Sequence, residues 1–330
     1  MKLSYEKRAL YLRIREDLAA LGARILLLSP PDEWPQVYSI VREIDAAVVR
    51  IYIWNLTYDT ARGDFKFQLT GVDGNQFDFA PGARVVILGY LESSRLYLAA
   101  DSDLRTEVFG SSPAIQTTRQ HLDDANRDGM KAFTKERTGE VAVVFRHDIL
   151  ATYLLQAGAL HSIGRRNGGL LELNSVVAEI GAAADQPALT TRDRETVTLV
   201  RVIRSTNFMK RVIAAYDYRC CVCDVQLDLI EAAHIVPAGA DLSSDDTRNG
   251  LCLCANHHQA YDDGLLGVHP DYSISISSAQ ISRLASLTRK GGLIDFRARL
   301  RPSIAVPYDP ASRPDPDFLH RGLAARNWQP

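Results

Sequence analysis

The sequence predicts an α+β protein of two domains, the first a mixed domain with a curved antiparallel sheet and the second a small metal-stapled domain. Three observations lead there. Alternating and β-branched runs crowd between positions 46 and 145, joined by polar turns and flanked by helical stretches, a pattern that favours an α+β layout. All 5 cysteines of the 330 residues fall between Cys220 and Cys254. Between the two regions, residues 181–191 (GAAADQPALTT) are small and polar and read as linker.

The elements follow in order. Apolar residues at Leu10, Tyr11, Ile14, Leu18 and Leu21 predict an amphipathic helix over 4–22, stopped by Gly22. A short apolar piece, 23–28, ends at Pro30-Pro31, and a second helix is expected from Trp34 to Ile44. Strands are expected at 46–54, 65–70, 83–90, 95–100 and 139–145. Helices are expected over 117–133 and 147–159. This domain shows no cysteine, no glycine-rich phosphate loop and no paired carboxylates, so pattern alone assigns it no chemistry. If it reads DNA, Trp54, Tyr58, Arg62, Arg95, Arg105 and the loop 111–116 are the candidates, although Trp54 suits the core better. The boundaries expected are 1–180 for the first domain, 181–195 for the linker, 196–275 for the second domain and 276–330 for an extension packed on it.

Composition sets the class. A hydrophobic share of 46% and a charged share of 24% are ordinary for a soluble globular chain. No apolar run of about 18 residues is present, so no membrane span is expected. The start, MKLSYEKRALYLRIRED, is charged rather than signal-like, which points to the cytoplasm. Net charge is −2, so any attraction for a polyanion must be local. Arg204, Lys210 and Arg211, on the approach to the cysteines, and Arg248, between Cys223 and Cys252, are candidate contacts to a phosphate backbone. A solvated helix face is the plainer reading of the same residues.

The cysteine region carries the chemistry. Cys220 and Cys223 form a C-x-x-C pair, and Cys254 and His257 form a C-x-x-H pair. A two-residue gap lets a tight turn aim both ligands at one ion, and two such pairs close a tetrahedral site. Thiolates favour Zn2+ over Mg2+ or Ca2+. Cys221 and Cys252 lie off this spacing and read as packing. A helix over 207–216 leads into the region, with Phe208 and Val212 inward and Lys210 and Arg211 outward.

Around the cysteines stand His234 in EAAHIVP, Asn249 in RNG and His258 in ANHHQAYD. Singly, each has a bland reading: a core histidine, a turn asparagine, a neighbour of a zinc ligand. Their order on strand, turn and helix beside a zinc knot resembles the HNH endonuclease family and its ββα-metal fold. The resemblance covers about Tyr216 to Val268. It implies a restriction-type, metal-dependent DNA endonuclease that hydrolyses phosphodiester bonds. It casts His234 as general base, a task that suits an imidazole. It casts Asn249 as the residue that holds the hairpin, and His258 as ligand to a catalytic Mg2+ or other divalent ion. Many members carry Asp or His just before the base, where this chain has Ala233. Asp262, four residues after His258 and on the same helical face, is the best substitute ligand, ahead of Glu231 and Asp263. The architecture resembles restriction proteins in which an N-terminal module reads foreign or modified DNA. Cutting both strands needs two sites, which points to a homodimer. The competing function is a zinc-stabilised DNA-binding or regulatory protein without cleavage, and Ala233 is the feature that favours it.

Overall fold

The computed structural model describes residues 2–19, 23–42, 45–110, 113–135, 138–174, 207–227, 229–238, 240 and 243–329. The linker expected at 181–195 and the candidate Arg204 lie outside the described residues. The chain divides into two compact units, one taking in the described residues up to 174 and the other those from 207 onward.

The first unit is built on a seven-stranded sheet. Its strands are β1 (Arg24–Leu27), β2 (Gln36–Arg42), β3 (Asp45–Asn55), β6 (Arg84–Leu91), β7 (Leu96–Ala100), β10 (Val141–Arg146) and β9 (Met130–Thr134), in that spatial order. Neighbours are antiparallel except β3 and β6, which run parallel with Ile51 opposite Val86. A curved antiparallel sheet was expected, and this one pair departs from it. The parallel pair arises because the chain leaves the sheet after β3 to form β4 (Thr57–Asp59) and β5 (Asp64–Gln68), which join β8 (Ala114–Thr117) in a separate three-stranded sheet. Helices α1 (Tyr5–Ala19), α2 (Arg119–Asp128) and α3 (Leu150–Gly164) complete the unit.

Two expected helices are corrected. Of the helix expected over 34–44, Gln36–Arg42 forms β2 instead, alternating buried and half-buried side chains, a period-2 pattern, and positions 43 and 44 lie outside the described residues. The helix expected over 117–133 ends at Gly129, whose φ of 99° no other residue adopts easily. The chain then turns into β9. Trp54 is core, with its Nε1 donating to the Thr70 carbonyl at 3.1 Å. Arg95 pairs with buried Asp17, and Arg105 pairs with Glu140, so both are committed within the fold. Tyr58 and Arg62 are exposed. Positions 111 and 112 of the candidate loop lie outside the described residues, and positions 114–116 belong to β8.

The second unit places a hairpin between helices. A helix at 207–215, α4, precedes the cysteines. β11 (Ile230–His234) pairs antiparallel with β12 (Gly250–Cys254), and α5 (Ala255–Asp262) follows directly. β13 (Leu266–Val268) and β14 (Ile274–Ile276) form a second hairpin. α6 (Ser278–Ser286), α7 (Leu293–Ala298) and α8 (Pro316–Ala325) come last. This tail is woven into the unit: Ala305 N–H donates to the Cys221 carbonyl at 2.8 Å, Asp315 N–H donates to the Arg248 carbonyl at 3.1 Å, and Leu319 is fully buried.

Two glycines permit the close packing. A Cβ on Gly250 would lie 2.2 Å from Val212, so α4 can press on the hairpin only there. A Cβ on Gly322 would lie 2.6 Å from the Ile235 carbonyl, so α8 can approach the end of β11. Among the described residues no helix is long and apolar enough to cross a membrane.

Candidate active site and metal centre

Cys220, Cys223, Cys254 and His257 come together as the spacing requires, with their ligand atoms all within 4.8 Å of one another. Cys223 and Cys254 sulfurs are 3.9 Å apart, and His257 Nδ1 lies 3.5 Å from Cys220 Sγ and 3.2 Å from Cys254 Sγ. Four ligands about 2.3 Å from one zinc ion stand about 3.8 Å apart, so the donor set and its size fit a closed tetrahedral ion. Cys221 and Cys252 are buried apolar packing, as expected.

The end of the hairpin away from Cys254 holds His234, the last residue of β11. Its ring lies flat on Phe208 of α4, with centroids 3.8 Å apart and planes 12° apart. Its Nε2 is 3.0 Å from Asp245 Oδ1. Asn249 is wholly buried and staples the loop between them. Its Oδ1 accepts from Val236 N–H at 2.8 Å, and its Nδ2 donates to the carbonyls of Ser244 at 2.8 Å and Val236 at 3.3 Å. Asp246 caps the short turn over Thr247–Asn249 by accepting from Arg248 N–H. The loop that carries Asp245 is therefore fixed against the strand that carries His234.

His258 sits between two carboxylates. Its Nδ1 is 2.7 Å from Glu231 Oε2, and its Nε2 is 3.2 Å from Asp262 Oδ2. Burial works against its charge, but the two carboxylates outweigh that and push the imidazole up to about 9. Burial likewise opposes ionisation of Asp262, and hydrogen bonds from His258 and Arg326 overcome it and hold the carboxyl below its usual range. Because Glu231 and Asp262 take opposite ring nitrogens, only one of them can share an ion with a given nitrogen. No contact joins Asp263 to His258 among those seen, and Asp262 keeps its place as the nearer partner on α5. Ala233 is buried opposite Leu251 and leaves no donor at its position.

Arg326, just past α8, ties these parts together. Its Nη2 donates to the His234 carbonyl at 3.0 Å and to Asp262 Oδ1 at 2.8 Å, and its Nη1 donates to the Ile235 carbonyl at 2.5 Å. Its guanidinium lies 4.0 Å over the Tyr261 ring. Sequence reading missed both Asp245 and Arg326. The Asp245-Asp246 pair just ahead of RNG was the available sign for the first, and nothing local marks the second.

The cations chosen as DNA contacts fare less well. Lys210, expected to face outward, is half-buried with its Nζ shielded from solvent, because α4 packs that side against the unit. Arg211 is exposed but donates to the Asp245 carbonyl at 2.6 Å. Arg248 pairs with Asp246 at 2.8 Å and with Asp315 at 3.4 Å.

Residues 47–154 match the family described as methylase-associated X1. A structure described as "Modification dependent TagI restriction endonuclease" aligns at 13% identity over 84% of this chain and 81% of that chain, with a TM-score of 0.29, too loose to bear on fold or function. No curated protein matches the chain. Residues 220–269, which span the metal-ligand cluster, His234, Asn249 and His258, match the HNH endonuclease family. The second unit of this chain thus carries an HNH endonuclease domain.

Proposed function

We propose that the protein is a metal-dependent DNA endonuclease that restricts foreign or modified DNA. One observation carries the reading: within the HNH match, His234 and His258 are each held by a carboxylate on opposite elements of one hairpin-and-helix unit. The methylase-associated match over 47–154 supports a restriction setting.

His234 is the general base. Asp245 accepts the Nε2 proton, which fixes the tautomer and leaves Nδ1 to take a proton from the attacking water. Phe208 holds the ring plane. Asn249 keeps the Asp245 loop closed on the strand, so its part in catalysis is positional. His258 and Asp262 would hold the catalytic divalent ion, while Glu231 takes the Nδ1 proton and orients the ring, as carboxylates behind metal-bound histidines do. An ion of the Mg2+ type held there would supply polarisation of the scissile phosphate and stabilisation of the leaving oxygen. Arg326 keeps Asp262 ionised and in register with the strand of the base. Zn2+ in the Cys220–Cys223–Cys254–His257 knot is structural.

The first unit, taken as 1–180, reads the DNA, the nuclease module spans 196–275, and 276–330 is its packed extension. The cutting form is a cytoplasmic homodimer, one site per strand. Ala233 favours a second reading, a binding module without cleavage. Supercoiled plasmid separates the two. With Mg2+, Mn2+ or Ni2+ the protein should nick or linearise it, faster on DNA with modified bases, and chelation should stop the reaction. Binding without any cut under every ion would leave the second reading.

A further inference from the structure

The second unit carries a cationic hairpin that its own fold does not neutralise. From position 279 to 308 there are six Lys or Arg residues and one acidic residue, Asp295, in a chain whose net charge is −2. The excess sits on α6, α7 and the turn between them. Arg283 donates to Gln280 at 2.7 Å, and Arg301 pairs with Asp224 at 3.4 Å. Arg289 and Lys290 in the turn, and Arg297 and Arg299 at the end of α7, are exposed. Their side chains make no hydrogen bond or ion pair with the described residues. Every other described Lys or Arg of this unit is partnered or shielded. Arg219 pairs with Asp217 and Asp224, Arg313 donates to the Pro307 carbonyl, Arg321 pairs with Asp317, and Arg326 is enclosed. The candidates nearest the histidines, Lys210, Arg211 and Arg248, are committed internally, as described above.

The hairpin also lies beside the helix that bears His258 and Asp262. Phe296 of α7 packs 5.2 Å from the His257 ring. Gln280, Arg283 and Leu284 of α6 share an open cleft of about 360 Å³ with Asn256, Gln259 and Asp263 of α5. Unpaired charge on helices that pack against the helix of His258 is suited to a polyanion. Duplex DNA carries one charge per ~1.7 Å of its axis, and α7 alone is about 9 Å long, so the hairpin faces several phosphates at once.

We propose that the α6–α7 hairpin is the arm by which the nuclease unit grips the DNA backbone, through Arg289, Lys290, Arg297 and Arg299. The proposal rests on the endonuclease reading and names its phosphate contacts. These four cations touch phosphates away from the scissile one. They set affinity and on-rate and carry no base specificity.

The test uses the full chain and a duplex of about 20 base pairs, with binding followed by anisotropy at several salt concentrations and no added divalent ion. The variant is R289Q/K290Q/R297Q/R299Q. All four sites are exposed, so its melting point should match the parent's. The arm predicts a 10- to 100-fold weaker affinity at low salt, equal across duplex sequences. It also predicts a plot of log affinity against log salt that is shallower by about 3 to 4, since each phosphate contact contributes about 0.9. An unchanged salt slope in a parent that cuts DNA would overturn the arm and leave the endonuclease standing. A changed slope in a parent that cuts nothing would leave the arm and overturn the endonuclease. Loss confined to double-stranded RNA, or a change in oligomeric state with DNA affinity intact, would overturn DNA as the arm's partner.

Discussion

Asp245 lies eleven positions beyond His234 and meets it at 3.0 Å only because the intervening loop is pinned by the buried Asn249 side chain. That geometry makes a definite demand on the chemistry. If Asp245 fixes the tautomer of His234, Asp245→Asn should lower kcat by 10-fold or more and leave KM for DNA unchanged. Asp245→Glu should recover part of the loss. A merely structural Asp245 would alter thermal stability and leave kcat of the folded enzyme in place. Residue-scale reading of the sequence succeeded for His234, Asn249 and His258 as members of one constellation, because strand, turn and helix follow one another closely in the chain. It could not reach Arg326, whose hydrogen bonds to His234 and Asp262 cross 92 and 64 positions and depend on how the last helix docks.

The metal knot is the element that lets such a small hairpin hold its shape. β11 and β12 pair over only five residues, too few for an isolated hairpin to persist in water. Two of the four ligands, Cys254 and His257, lie where β12 meets α5, so one ion clamps the strand, the helix and the turn at Cys220–Cys223 together. Cys223→Ser should release the ion, measured as metal per chain, and should unfold the second unit while the first keeps its far-ultraviolet signature. Retention of full ion content and of cleavage would show that the four ligands do not form the site. The knot was readable because metal ligands obey local spacing. β2 was not, since a short apolar run such as Val37 to Val41 suits helix or strand equally and only its place between β1 and β3 decides. The parallel β3–β6 pair was hidden for a related reason: strand patterns show where strands are and say nothing of which edge the chain returns to.

At the scale of the molecule, the two units have separate cores and separate sensitivities. The first holds His161, buried, with Nε2 2.9 Å from the Tyr153 hydroxyl. Burial holds this imidazole below its usual range, while Asp101 and Asp103 favour its charge and Arg165 opposes it. The unfolded chain therefore binds a proton that the native unit refuses. The stability involved is fully present above about pH 6.5 and is lost as pH falls, by at most about 1.4 kcal/mol per pH unit. In calorimetry, His161→Gln should flatten the acid dependence of the first unit's transition between about pH 7 and pH 5. An unaltered slope would assign the acid sensitivity to other groups. The fold class and the nuclease domain were legible because composition, cysteine clustering and ligand spacing are properties of the chain itself. The partners of the site residues were not, because they come from loop closure and from a tail that closes on the hairpin.

The central claim is that His234 takes the proton in a DNA-cutting site. The most direct measurement is plasmid cleavage by the purified protein and by His234→Ala, side by side, with divalent ion added and with ion content and melting point recorded for both. The account predicts that the variant stays folded, keeps its knot ion and still binds DNA, yet loses cleavage by about 100-fold or more. Equal cleavage by the two proteins would contradict it.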